Sequence, residues 1–323
     1  MEFSVFNIAI FKSCFYLQKS RDFQIYICTM RRAPSIDALI KLIDDPDQLV
    51  YEHVRAEILR TGTTALPKLH DILDFEKLSA EHVERVQSLV RELHFAAIME
   101  QLETWCLSSE KDLLKGIHII TTLQFPDLTW DQLSVQINAF ERRIWLEVNR
   151  RMTAFEVVQR MNAMWYNNIG LVVQNTQLAT PYHTFLNSVM EDMVGTPFST
   201  GLLYSIVAQR LNFPIYGVNF PGQFVLAYID EYRIHKLIEP LGTGGVLFYL
   251  LPADQGKVCI KKQMDEFLLQ RRMPAVREYF EPCSHSSLLI LYLDELIQVY
   301  KRYDREELLL AYEQMKTKIL ELA

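Results

Sequence analysis

The sequence predicts a predominantly α-helical α+β protein in which helical, repeat-like regions flank a small antiparallel sheet. Three observations carry that prediction. Apolar residues recur at helical spacing from Ser35 almost to the last residue. Runs rich in β-branched and aromatic residues are confined to one stretch, Ile215 to Val218, Phe224 to Ile229 and Arg233 to Ile238. Pro221-Gly222 and Asp230-Glu231 lie between these runs as hairpin turns. The composition, 50% hydrophobic against 23% charged over 323 residues, is that of an ordered chain with enough length for two domains or one elaborate one.

The elements follow in order. Residues 1–29 are apolar and aromatic but broken by Lys12, Lys19 and Arg21, and they show neither a membrane span nor the layout of a signal peptide. They are expected to be a leader outside the folded protein, with translation starting at Met30. Behind Ser35 as cap, Ile36, Leu39, Ile40 and Ile43 form a first helix that ends at Asp44-Asp45-Pro46. A second helix runs from Asp47 to Arg60 and stops at Gly62, and a third begins near Thr63. Helix, DDPD turn, helix, glycine, helix resembles one HEAT-like unit, which gives a HEAT-like helical region over residues 30–105. Helical periodicity continues through 79–105, 110–123, 129–149 and 152–166, and residues 167–185 read as an ordered loop. A helix from Phe185 to Met193 and a long apolar helix from Ser199 to Leu211 precede the strands. The last helices are expected at 264–271, 286–303 and 305–322, the final one capped by Asp304.

Several function classes are disfavoured by composition. A net charge of −7 provides no field for a phosphate backbone, so no nucleic-acid partner is expected. The five cysteines, at 14, 28, 106, 259 and 283, show no metal-ligand spacing and suit a reducing cytoplasm, so neither a metal nor any other cofactor is expected. Gly242-Thr243-Gly244-Gly245 lacks the Lys-Ser/Thr ending of a phosphate loop and reads as a turn.

The block LLKGIHIITTLQFPDL, followed by PYHTFLNSVMEDMVGTPFSTGLLYSIVAQRLNFPIYGVNFPGQFVLAYID and LIEPLGTGG, resembles the bacterial SirB family over residues 110–248. That resemblance implies a transglutaminase-like, papain-like core, placed at residues 106–260, with tetratricopeptide-type helices at 261–323. Enzymes of this architecture set a cysteine at the start of a buried helix, a histidine on the adjoining sheet and an aspartate on the next strand.

Carried onto this sequence, the cysteine slot falls on Pro197, or on Ser199 with a shift of two, the base slot on Gln223 and the orienting slot on Glu239. Proline has no nucleophile and an amide takes no proton at neutral pH. The resemblance therefore implies a degenerate site and a non-enzymatic protein. The expected role is a cytoplasmic scaffold or protein- and peptide-binding module, with a homo-oligomer as a further arrangement. Trp165, Tyr166, Tyr182, His183 and Phe185 are candidates for lining a retained cleft, set against plain core packing. The competing reading is a residual hydrolase or acyltransferase with Ser199 as nucleophile, His183 or His235 as base and Glu239 orienting it.

Overall fold

The computed structural model describes residues 35–75, 79–149, 151–230, 245–303 and 305–322. Residues 1–29, the expected third strand at 233–238, Glu239, His235 and Asp304 therefore lie outside the described residues. The chain divides into two compact units, Met1–Glu100 and Gln101–Ala323.

In the first unit, α1 (Ile36–Ile40), α2 (Gln48–Thr61), α3 (Leu66–Phe75) and the leading part of α4 (Ala80–Leu107) enclose one apolar core. It is built from Leu39, Ile43, Val54, Ile58, Leu69, Leu89 and their neighbours. The Asp47 carboxylate caps α2 by accepting from Leu49 N at 2.9 Å, and Gly62, at φ 72°, ends it where a side chain would be strained. Ser35 corrects an expectation, since its hydroxyl makes no capping bond, although its carbonyl accepts from Ala38 and Leu39. The carbonyls after α1 are satisfied by Arg85, whose guanidinium reaches Ile43 O at 3.0 Å and Asp45 O at 2.9 Å.

The second unit carries α5 (Leu113–Thr121), α6 (Trp130–Trp145), α7 (Ala154–Asn162), α8 (Leu186–Asp192) and α9 (Pro197–Arg210). After the sheet come α10 (Lys261–Gln270), α11 (His285–Tyr300) and α12 (Glu306–Leu322). The C-terminal helices thus belong to the same compact unit as the sheet. Helices α6 and α7 start with full capping boxes, Thr129 with Gln132 and Thr153 with Glu156.

The sheet is antiparallel in the order β3-β4-β5-β6, from Ile215–Phe220, Gln223–Ile229, Val246–Leu251 and Lys257–Cys259. Its third and fourth strands lie downstream of the stretch in which the sequence placed a third strand. The hydrophobic run VLFYLL at 246–251 carries β5, which pairs with β4 through Leu226↔Leu250 and Ala227↔Tyr249. A two-residue parallel pair, β1 (Val172–Val173) with β2 (Val194–Gly195), lies partly within the segment expected to be an ordered loop without strands. Two residues leave no alternation to read.

The pleat of the sheet separates two faces. Val218, Phe220, Val225, Ala227, Tyr249 and Cys259 join Met264 and Leu268 of α10 in one cluster. The other face meets α9, which is buried on all sides from Phe198 to Ala208 and packs also against α6, α8 and α11. Close approach of α9 and β4 depends on Gly201, where an added Cβ would stand 2.7 Å from Pro252 Cγ and 2.9 Å from Phe224 Cδ1. A larger residue forces the helix off the sheet. Gly201→Val is expected to cost about 1–3 kcal/mol of stability, measured by urea unfolding; an unchanged midpoint and slope would mean that this helix–sheet contact is not made.

Candidate functional site

The amino end of α9 is the place where the sequence sets the nucleophile slot, and its local chemistry is that of a helix cap. Thr196 is the N-cap and Pro197 the first helical residue, where the missing amide proton of proline does no harm. Thr196 Oγ1 accepts from Ser199 N at 3.1 Å, and Ser199 Oγ accepts in return from Thr196 N at 2.9 Å. Ser199 is fully buried, and its own proton goes to the backbone carbonyl of His183 at 2.7 Å. That carbonyl also accepts from Thr196 N at 3.1 Å. One oxygen thus ties the preceding loop to the helix start.

His183 meets Ser199 through its backbone, and its imidazole is engaged elsewhere. Nδ1 accepts from Thr180 N at 3.2 Å, as the cap of the short turn Pro181–His183. A base for Ser199 would instead have to receive the proton now held by the carbonyl.

Gln223 is not brought to this end of α9, which corrects the sequence reading. It opens β4 and pairs with Phe220, so the pleat turns it to the α10 face together with Phe220 and Val225. The adjacent residue, Phe224, faces α9, and its ring lies 4.5 Å from that of Phe198. An aromatic contact therefore stands where the base was expected. Glu239 lies outside the described residues.

The candidate cleft aromatics separate into core and surface. Trp165 and Phe185, expected in a cleft, are fully buried. Trp165 belongs to a π-helical turn, Ala163–Asn168, and stacks on Phe140 at 5.4 Å and beside Tyr204 at 6.1 Å. Phe185 packs edge-on to Phe125 at 5.2 Å. Their apolar area is used to join α6, α8 and α9, which is why they are inaccessible. Tyr166 is half-buried, and burial pushes its hydroxyl far above the ordinary tyrosine range. Tyr182 alone of the five is largely exposed, at 52%, with one edge against Phe125. Val172 and Leu178, on the same stretch of chain, are exposed as well.

The three described cysteines lie outside α9. Cys259 sits on the α10 face with Sγ 3.9 Å from Met264 Sδ, Cys106 is buried on α4, and Cys283 is held by its amide to Gly217 O at 2.8 Å. Burial pushes all three thiols up, away from the thiolate. Among the described residues no group of three or more His, Cys, Asp or Glu side chains could hold a metal ion.

One residue at this site escaped the sequence reading. Glu295 of α11 is half-buried beside Thr196; burial raises its carboxyl pKa, while the Thr196 hydroxyl and the Arg302 guanidinium favour the charged form. The signal was present, because Glu295 falls between Tyr292 and Val299 on the apolar face of that helix. A carboxylate on an otherwise apolar stripe is the departure to notice.

The family model described as "Transglutaminase-like superfamily" matches residues 131–293. Among curated proteins, the chain is similar to a "UPF0162 protein" of Xylella fastidiosa strain 9a5c, 23% identical over 197 residues that make up 60% of this chain and 67% of that protein. The corresponding protein of strain Temecula1 is 23% identical over 194 residues, 60% of this chain and 66% of its own length. A further UPF0162 protein, from Pasteurella multocida, is 28% identical over 110 residues, covering 29% of this chain and 41% of that protein. The matches thus span about two thirds of the Xylella proteins and less of the third. No solved structure matches.

Two outcomes are expected. Ser199→Ala removes one half of the capping box and the bond to His183 O, and should cost about 1–2 kcal/mol in urea unfolding; an unchanged midpoint would show the hydroxyl idle. Glu295 has a folded pKa above its ordinary 4.5, so the native state binds its proton more tightly than the unfolded chain does. The stabilising contribution is complete below 4.5 and is lost as pH rises through the raised folded value. The stability of the wild type relative to Glu295→Gln should fall over that window, and a pH-independent difference would contradict the placement.

Proposed function

Because the chain belongs to the transglutaminase-like superfamily, and because the residues at the start of its central helix are committed to holding that helix in place, we propose that it is a catalytically inactive member acting as a protein- or peptide-binding module or scaffold. The observation that carries the reading is the Ser199 hydroxyl, fully buried, giving its proton to His183 O and accepting from Thr196 N. Pro197 beside it has no nucleophile, and Phe224 fills the facing strand position. Acyl transfer through a thiolate needs a nucleophile and a base, and each normally contributes several powers of ten in rate. Pro197 and Phe224 supply neither, and the Ser199 hydroxyl is committed to the cap.

The chain is read as SirB-type, with a HEAT-like N-terminal region and a tetratricopeptide-like C-terminal hairpin of α11 and α12, and as cytoplasmic. Binding is supported by the exposure of Val172, Leu178 and Tyr182, at 51%, 70% and 52%, on the stretch that leads to the start of α9. Aromatic side chains with one apolar side and one polar tip suit a peptide partner.

Two measurements on the full chain test the two parts. Serine-directed and thiol-directed activity probes are expected to leave Ser199 unlabelled; labelling abolished by Ser199→Ala, with circular dichroism unchanged, would establish the hydrolase or acyltransferase instead. A displayed peptide library is expected to yield binders that Tyr182→Ala weakens about tenfold, the loss of one good contact. A library without binders, or binders indifferent to Tyr182, would defeat the binding role at this site.

A further inference from the structure

The stretch from Gln174 to His183 is bonded at its two ends to residues at the start of α9, and the two attachments are unequal. At the His183 end it is tied by the carbonyl shared between Thr196 N and Ser199 Oγ. Thr196, Ser199 and Thr200 beneath it are fully buried. At the other end Gln174 N donates to Gly195 O at 2.7 Å, closing the β1–β2 pair. Between these ends the backbone-to-backbone bonds are short-range, Leu178 N to Asn175 O, Ala179 N to Thr176 O and His183 N to Thr180 O.

Tyr182 packs on Phe125 and Ala179 is buried, and among the described residues the carbonyls of the middle are bound from outside by one side chain. Arg302, in the turn after α11, donates Nη1 to Thr176 O and to Gln177 O, each at 2.8 Å, and Nη2 to Ala179 O at 3.0 Å. Three carbonyls of one turn converge on a single planar fork, a match that the guanidinium has and an ammonium lacks. The same residue lies near Glu295, whose carboxyl stands beside Thr196 at the α9 start. Arg302, which holds the turn, and Glu295, which stands at the α9 start, thus belong to one C-terminal segment.

We propose that residues 174–183 form a cover over the amino end of α9, latched by Arg302, so that release of this one side chain exposes the buried cap of Thr196 and Ser199. The cover carries the exposed Leu178 and Tyr182 on its outside, so a peptide engaging those two side chains would bear on the latched segment. That last step rests on the binding role proposed above; the latch does not, and it can be measured with no partner present.

Hydrogen exchange of the full chain, read by mass spectrometry, tests the latch. In Arg302→Gln the amides of Leu178, Ala179, His183 and Thr184 should exchange about tenfold faster or more, while those of Leu202 to Ala208 in α9 keep wild-type protection, the pattern of a local opening. Arg302→Lys retains the charge without the fork and should also exchange fast. Unchanged exchange in the cover, or an increase spread equally over α9 and β4, overturns the proposal. Full protection in Arg302→Lys would overturn the fork and leave charge attraction toward Glu295 as the holding force. The peptide-library measurement is independent of these outcomes, so loss of the binding role and loss of the latch are told apart.

Discussion

The second unit is organised around the need to satisfy the amino end of a helix that is buried on every side. An α-helix begins with N–H groups that have no partner within the helix, and burial removes water as their acceptor. For α9 much of the answer is local. Thr196 and Ser199 exchange bonds through backbone and side chain, and His183 O takes both the Thr196 amide and the Ser199 hydroxyl. Pro197 removes one donor outright. Much of the remaining unit can be read as the means of keeping this end dry, with Phe198 tilted against Phe224 and stacked toward Tyr292, and with α11 bringing Glu295 alongside.

The same helix end, in an enzyme of this architecture, is where amide dipoles favour a thiolate. The two uses compete for the same groups. A hydroxyl at position 199 that serves as cap cannot also be a poised nucleophile, because its proton is already given to a carbonyl and its lone pair to an amide. The proposed loss of chemistry and the tight closure of the helix start are therefore two descriptions of one arrangement.

The helices were legible in the sequence because a 3.6-residue period survives over ten or more residues, and caps such as Asp47, Thr129 and Thr153 mark their starts. Strands were legible only in part. The β-branched and aromatic runs of β3 and β4 stand out between turn residues, whereas the apolar run VLFYLL of β5 was not read as a strand and β1 has two residues. The site was least legible, for reasons that can be named. Gln223 and Phe224 differ by one position, and only the register with Phe220 and Asn219 determines which of them faces α9. Trp165 and Phe185 have the composition of a binding surface and the location of a core, and composition does not distinguish the two. Glu295 was legible but not read, since its meaning depends on Thr196, almost a hundred residues earlier in the chain.

The position of Phe224 explains why, on the proposed reading, restoring a thiol at position 197 would not by itself restore chemistry. A cysteine there would find an aromatic ring on the facing strand where it needs an imidazole, and the base slot read from sequence would remain on the opposite face of the sheet. Bringing residue 223 to α9 requires a one-residue shift of β4, which would turn Val225 and Ala227 out of the α10 cluster and expose them to the wrong side. Gly201 adds a second obstacle, because the space beside it is already filled by Phe224 and Pro252. The core on one face of the sheet thus limits the chemistry available on the other, and the placing of Phe224 in place of Gln223 against α9 follows from strand register as much as from the identity of any single residue.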